Sequence, residues 1–255
     1  MRFACLGSGS RGNAWLVEAG ATRVLVDCGF SAREATRRLE RLGVAADTVD
    51  AVLLTHEHAD HARGVAGFSS RFACEVLLTH GARLMLEATD SAPKQAREID
   101  SHTPFALGDL EIVPVAVPHD AREPVQFVFG DGRARLGILT DAGHVTAHME
   151  AMFADCDALA VECNHDVDLL RRGSYPPALK ARILGRYGHL DNTMARSFLA
   201  KVATGRLRHV VAAHLSEENN RPELARQALA TALGCEEDWI GVADQEMGCD
   251  WRRIV

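Results

Sequence analysis

The sequence predicts an α/β protein of αββα architecture, two sheets face to face with helices outside, and three observations carry that prediction. Short apolar runs fall into two groups along the 255 residues, each interleaved with amphipathic helical patterns. No stretch reads as a linker or an internal repeat, so residues 1–255 are expected to form one domain. Several apolar runs end in histidine or aspartate, which sets ligand-type side chains along one edge of the sandwich.

Residues 2–6 make the first strand. Residues 7–13 (GSGSRGN) follow as a loop whose small residues let backbone N–H groups approach an anion, or simply form a tight turn. Residues 14–18 and 22–27 alternate as a hairpin about Ala19-Gly20. Ser31 caps an amphipathic helix, AREATRRLERLG, whose basic outer face reads as solvated surface. Residues 52–54 are a buried strand, 65–72 a helix, 75–78 a strand and 82–88 a helix; the polar connection 91–95 is expected to be mobile. A strand over 110–117 leads to Pro118-His119-Asp120, and 125–130 and 134–139 pair about Asp131-Gly132. A helix (145–153), a strand (158–162), a helical stretch (166–185) broken at Tyr175-Pro176-Pro177 and a helix (192–202) come next. The chain closes with a strand (209–213), an amphipathic helix (222–233) and a late strand (239–243).

The chemistry concentrates in residues 51–61, AVLLTHEHADH, where His56, His58, Asp60 and His61 crowd a loop that burial does not explain. Imidazole and carboxylate both offer lone pairs and hold useful protonation states near neutral pH, so this density suits a divalent metal. His56 and His58 can face one way from an extended segment, while Asp60 and His61, past the bend, can serve a second centre. A lone surface histidine is ordinarily just solvated; four ligand-type residues in HxHxDH after a buried strand are a motif awaiting its structural context.

With 47% hydrophobic and 25% charged residues the composition is that of a globular protein. The start, MRFACLGSGS, turns glycine-rich too early for a signal peptide, and no apolar stretch approaches a membrane span; a cytoplasmic protein without membrane contact is expected. The seven cysteines are scattered and never spaced CxxC, so they read as reduced thiols, mostly buried. A net charge of −7 argues against broad nucleic-acid binding, although divalent ions would make their site locally positive and able to draw an anionic substrate.

HEHADH resembles the HxHxDH signature of the metallo-β-lactamase-fold hydrolases, and His119 in VAVPHD, Asp141 in LGILTDAG and His214 in VVAAHLS extend the resemblance over nearly the whole chain. It implies two divalent ions, Zn²⁺ or Mn²⁺, with Fe²⁺ also compatible with nitrogen and oxygen ligands. The first would take His56, His58 and His119, the second Asp60, His61 and His214, with Asp141 bridging both and Asp60 counted as catalytic. Two such ions share a hydroxide formed near neutral pH and neutralise charge on a phosphoryl or carbonyl oxygen, so no serine or cysteine nucleophile is needed.

Within that superfamily, GSGSRGN, VECNHD, SYPPALKARI, GHLDN and LSEENNRP resemble the YycJ/WalJ group, implicated as 5′-to-3′ DNA exonucleases, with GHLDN standing for GHLSN and RGNA for SGNC. This makes His165 and His189 candidates for phosphate contact or leaving-group protonation, and Ser8, Ser10, Asn13, Asn192, Ser216 and Asn220 candidates for substrate hydrogen bonds. A structural polar role competes at each position. His80, His102, His144, His148 and His209 fall in no such constellation and are expected at the surface or satisfied in the core. Between Asp141 and His214 there is no room for a cap domain of the ribonuclease J kind, and no clamping arm of the ribonuclease Z kind is visible.

Three functions compete. The first is a two-metal phosphodiesterase on nucleic acid, expected to be a 5′-to-3′ DNA exonuclease. The second is a glyoxalase II-like thioester or small-ester hydrolase sharing the same ligands, and the third is a non-catalytic metal-binding regulatory protein.

Overall fold

The strands are apolar on both faces because both faces are covered. Five consecutive positions of Ala158–Glu162 and of Phe3–Gly7 are buried. The computed structural model describes Met1–Val255. In chain order the elements are β1 (Arg2–Gly7), β2 (Ala14–Ala19), β3 (Thr22–Val26), α1 (Ala32–Arg41), β4 (Ala51–Leu53), α2 (Ala59–Ala62), α3 (Val65–Phe72), β5 (Glu75–Thr79), α4 (His80–Ala88) and β6 (Ala96–Ile99). Next come β7 (Phe105–Leu107), β8 (Leu110–Ala116), β9 (Val125–Gly130), β10 (Arg135–Leu139), α5 (Ala147–Phe153), β11 (Ala158–Glu162), α6 (Val167–Arg172), α7 (Pro177–Ile183) and α8 (Asn192–Val202). The last elements are β12 (His209–Ala213), α9 (Pro222–Leu233), β13 (Gly241–Val242) and β14 (Cys249–Arg253).

Two seven-stranded sheets form, ordered β14-β1-β2-β3-β4-β5-β6 and β13-β12-β11-β10-β9-β8-β7. The inner layer holds Phe3 and Trp15 of the first sheet against Phe127 and Phe129 of the second. Outside it, Leu16, Leu25 and Val52 pack under Leu39, Phe68 and Leu86 of α1, α3 and α4, while Leu159 and Val210 pack under Phe153, Phe198 and Leu229 of α5, α8 and α9. The result is the αββα sandwich, the metallo-β-lactamase fold. Strands β3 to β6 run parallel, as do β10 to β13, and it is past the carboxyl ends of parallel strands that ligand-bearing loops gather.

The differences from the sequence reading lie at sheet edges and helix starts. Strands β6, β7 and β14 were not anticipated, because short, half-exposed edge strands carry no apolar alternation. The late strand shrinks to Gly241–Val242, preceded by a 3₁₀ turn at Glu237–Trp239. Helix α4 begins two residues early because Thr79 accepts from Ala82 N, and α5 begins two residues late because Thr146 accepts from Met149 N. Residues 91–95 are a turn into β6. All seven cysteines are free, five of them buried. No helix is long and apolar enough to cross a membrane.

The basic face of α1 is not all solvated. Arg38 is 3% exposed and lies 4.0 Å over the Phe30 ring, with Nη1 donating to Leu6 O and Gln245 O, each at 2.9 Å. Its Nε donates to Glu34 at 2.7 Å. The long arginine stem reaches inward to two carbonyls, at the end of β1 and in the C-terminal turn; Arg41 Nη2 also donates to the first of them, Leu6 O, at 3.3 Å. Arg38→Ala removes the cationic donor of Gln245 O and the shorter of two such bonds to Leu6 O, and is expected to cost about 1–3 kcal/mol, read as a lowered denaturant midpoint at unchanged m-value.

Candidate metal centre and cleft

The loop after β4 is fixed by its backbone before any metal is considered. Asn13 N donates to Asp60 O at 2.7 Å, Cys28 N to His61 O at 2.8 Å, and Gly29 N to Asn13 O at 2.9 Å. These bonds zip the loops after β1, β3 and β4 together. Gly29 permits the approach, since a Cβ there would run into the Asp60 carbonyl.

Each histidine of the cluster spends one nitrogen on the protein and turns the other inward. His61 Nδ1 donates to Asp27 Oδ2 at 2.7 Å. The Thr55 hydroxyl donates to the same carboxylate, at 2.9 Å from Oδ2, and so accepts from His56 Nδ1 at 2.9 Å. His119 Nδ1 donates to Gly188 O at 3.0 Å, and His58 Nε2 to Asp120 O at 3.2 Å. His56 Nε2, His58 Nδ1, His61 Nε2 and His119 Nε2 are thereby left as lone-pair donors, with Asn13 Nδ2 3.1 Å from His61 Nε2. His58 Nδ1 and His119 Nε2 stand 3.3 Å apart.

His214 completes the other side. It sits at φ 53°, a left-handed conformation held by Ser8 Oγ, which accepts from its N–H at 2.9 Å, and by Asn164 Nδ2, which donates to its carbonyl at 3.1 Å. A non-glycine residue in that region stores roughly 1–3 kcal/mol, which concentrates at functional positions. Its Nδ1 is 3.1 Å from Asp141 Oδ1, its Nε2 3.5 Å from Asp60 Oδ2, and His61 Nε2 is 3.1 Å from Asp141 Oδ2.

These atoms form overlapping ligand sets: His56, His58 and His119; Asp60, His61 and His214; and Asp141 with either His56 and His61 or Glu162, His189 and His214, every set within 4.8 Å. His56 Nε2, Asp141 Oδ2 and His214 Nε2 are buried without a hydrogen-bond partner. Orphaned acceptors cost about 1–3 kcal/mol apiece, and a cation among them relieves that cost. The nitrogen and oxygen donors therefore fit divalent metal binding.

The electrostatics agree. Burial works against ionisation at Asp60 and Asp141, but His61 and His214, when protonated, outweigh it and hold both carboxyls well below the usual range; a bound cation takes the place of those protons. Burial drives His56 well below the ordinary imidazole range. At His189 burial is overcome by Glu162 and Asp141, whose carboxylates hold the imidazolium up to about 9. Glu162 Oε1 is 2.7 Å from His189 Nδ1 and 3.3 Å from His214 Nδ1, while Oε2 accepts from Ala142 N at 2.9 Å and Leu190 N at 3.1 Å.

A cleft of about 250 Å³ opens above this centre. It is lined by Asp60, Asp141, His189 and His214 from the ligand sets, by Ser10, Asn164 and Ser216, and by Tyr175, Leu179, Arg182 and Ile183 from the segment around α7. The structure thus gathers His56, His58, Asp60, His61, His119, Asp141, His189 and His214, with Ser10 and Ser216 also lining the cleft. The remaining sequence candidates do not line the cleft, although Asn13 Nδ2 stands 3.1 Å from His61 Nε2 and Ser8 Oγ accepts from His214 N. Asn192 and Asn220 bond each other at 2.9 Å and Asn220 donates to Cys163 O at 2.7 Å, so their amides are consumed inside the protein. Ser8 and Asn13 bond each other at 3.0 Å and brace the loop. His165 is buried beside Asn164 and does not line the cleft. At each of these five the hydrogen bonds are made within the protein, which is a bracing role. Sequence reasoning missed Asp27 and Glu162, each an acid at the end of a buried strand, in LVDCG and VECNHD. The signal was present in that position.

An αββα sandwich with this edge is the scaffold of a metal-dependent hydrolase. The chain belongs to the metallo-β-lactamase superfamily: a family model described as a β-lactamase superfamily domain matches residues 22–214. Its relatives place it with the YycJ/WalJ group. It is 33% identical over 246 residues to "Exodeoxyribonuclease YycJ" of Bacillus anthracis, covering 96% of this chain and 92% of that protein. It is 32% identical over 247 residues to "Exodeoxyribonuclease WalJ" of Streptococcus pneumoniae, covering 94% and 91%. The fold is shared with the metallo-β-lactamase fold protein YhfI of Bacillus subtilis at a TM-score of 0.76, 15% identity and 99% coverage of both chains.

Proposed function

We propose that this one-domain protein is a two-metal phosphodiesterase that removes nucleotides from the 5′ end of DNA. The observation that carries the reading is the convergence of a full nitrogen and oxygen ligand set, with orphaned Nε2 and carboxylate atoms, on an open cleft. The similarity to proteins named exodeoxyribonucleases supports the choice of substrate. Zn²⁺ or Mn²⁺ would be held by His56, His58 and His119 on one side and Asp60, His61 and His214 on the other, with Asp141 between them. When bound, such a pair supplies Lewis acidity toward a phosphoryl oxygen and lowers the pKa of water toward neutrality.

The chain's own residues do the rest. His189, pinned through Nδ1 by Glu162, presents Nε2 to the cleft and delivers the proton to the leaving oxygen. Ser10, Ser216 and Arg182, all in the cleft lining, orient the phosphate. His189→Ala is expected to lower kcat by about 10²- to 10⁴-fold with little change in strand binding, measured by steady-state kinetics beside anisotropy.

The reading is tested on duplex DNA labelled at either end, with metal-stripped protein reloaded with Mn²⁺ or Zn²⁺ and a thioester assayed in parallel. Metal-dependent release from the 5′ end is expected. Thioester turnover with intact DNA and RNA would transfer the assignment to the glyoxalase II-like class.

A further inference from the structure

Residues 171–187 differ from the rest of the chain in charge and aromatic content. The chain carries a net charge of −7 and only two tyrosines, yet this stretch holds five basic residues, no acidic one, and both tyrosines, Tyr175 and Tyr187. Helix α7 at its centre buries no residue. It is held by polar contacts instead: Lys180 Nζ donates to Arg171 O at 2.8 Å and Gly173 O at 2.7 Å, Asp120 N to Tyr187 O at 3.0 Å, and His189 N to Ile183 O at 3.1 Å. The helix is therefore fixed at the cleft without spending its apolar and cationic side chains on the core. Tyr175 and Arg182 line the cleft, Tyr187 is 59% exposed, and Arg171, Arg172 and Arg186 are exposed. The Arg182 guanidinium pairs with Asp120, whose Oδ1 lies 3.5 Å from His119 Nε2.

We propose that this segment is the strand-gripping wall of the cleft, and that it takes the unpaired terminal nucleotides of a single strand; the inference rests on the phosphodiesterase reading above. Tyr175 stacks on the base nearest the candidate metal centre, Tyr187 on a second base at the rim, and Arg182 exchanges Asp120 for a phosphate. Aromatic faces with interleaved cations are what sequence-independent binding of a single strand needs, because every base has a π-face and every link a charge. A cavity of about 250 Å³ is at the small end of ligand pockets, so the end of a duplex must fray to enter. In a chain this acidic, the local run of cations directs a polyanion to this wall rather than to the surface at large.

The test uses the full chain loaded with Mn²⁺, carrying Asp60→Ala to prevent degradation, and follows the anisotropy of 5′-fluorescein-labelled oligothymidylate. Tyr175→Ala and Tyr187→Ala should each raise Kd about 10-fold, with Tyr175→Phe restoring affinity. Arg171→Gln with Arg172→Gln should flatten the plot of log K against log salt by about 0.7 for each phosphate that the arginines neutralise. Thermal melts identify any variant that fails to fold, and the Phe variant keeps the stacking claim testable in that case. An unchanged Kd in the folded Tyr175→Ala and Tyr187→Ala variants, while wild type degrades DNA, overturns the gripping wall alone. Failure of wild type to degrade any strand overturns the phosphodiesterase reading and this inference with it.

Discussion

Asp60→Ala is expected to reduce turnover of end-labelled DNA by at least about 10³-fold, because losing a metal-side carboxylate forfeits several kcal/mol of transition-state stabilisation. Asp60 stands in a 4.8 Å set with His61 and His214, and its Oδ2 faces His61 Nε2 at 3.4 Å and His214 Nε2 at 3.5 Å. Its side chain is 24% exposed and makes no contribution to the three apolar layers. The loop that carries it is held by the Asp60 carbonyl rather than by the carboxylate, so alanine keeps the backbone bond from Asn13. Activity should therefore fall with the thermal midpoint almost unmoved. Wild-type turnover in Asp60→Ala removes this residue from the centre.

The second large effect is expected at Asp27, which sequence reasoning passed over. Its carboxylate is fully buried, sits at φ 63°, and takes hydrogen bonds from Thr55 N at 2.8 Å, from the Thr55 hydroxyl and from His61 Nδ1. Through the hydroxyl it also sets the tautomer of His56. One acid thus orients a candidate ligand of each proposed metal site. Asp27→Ala abandons a buried imidazole and two donors of Thr55 and should cost roughly 3–5 kcal/mol. Asp27→Asn preserves the shape and an acceptor for Thr55 but sets an amide N–H against His61. It should fold and bind metal about 10- to 100-fold more weakly, measured by competition with a chromogenic chelator. Metal affinity equal to wild type in Asp27→Asn would show that the histidines orient themselves.

The division between what could and could not be read from sequence follows from range. HxHxDH after a buried strand needs only local pattern, and the apolar runs before His119, Asp141 and His214 mark strand ends, so the ligand sets were legible. The two-sheet architecture was legible for the same reason: interior strands are continuous apolar runs. Edge strands β6, β7 and β14 take their pairing from a neighbour distant in sequence, as β14 does from β1, and carry little pattern of their own. Asn192 and Asn220 look alike on paper whether they face substrate or each other, and their mutual pairing depends on the start of α8 meeting the loop after β12. Arg38 illustrates the converse, a charged residue on a basic helix face that tertiary contacts draw inward.

The measurement closest to the central claim is a titration of metal-stripped protein with Mn²⁺, counting ions bound per chain while following nucleotide release from 5′-labelled DNA. Two ions per chain are expected, with release rising as the second site fills and absent from Asp60→Ala. Full release from the metal-stripped protein, or two bound ions with DNA and RNA left intact, would contradict a two-metal nuclease.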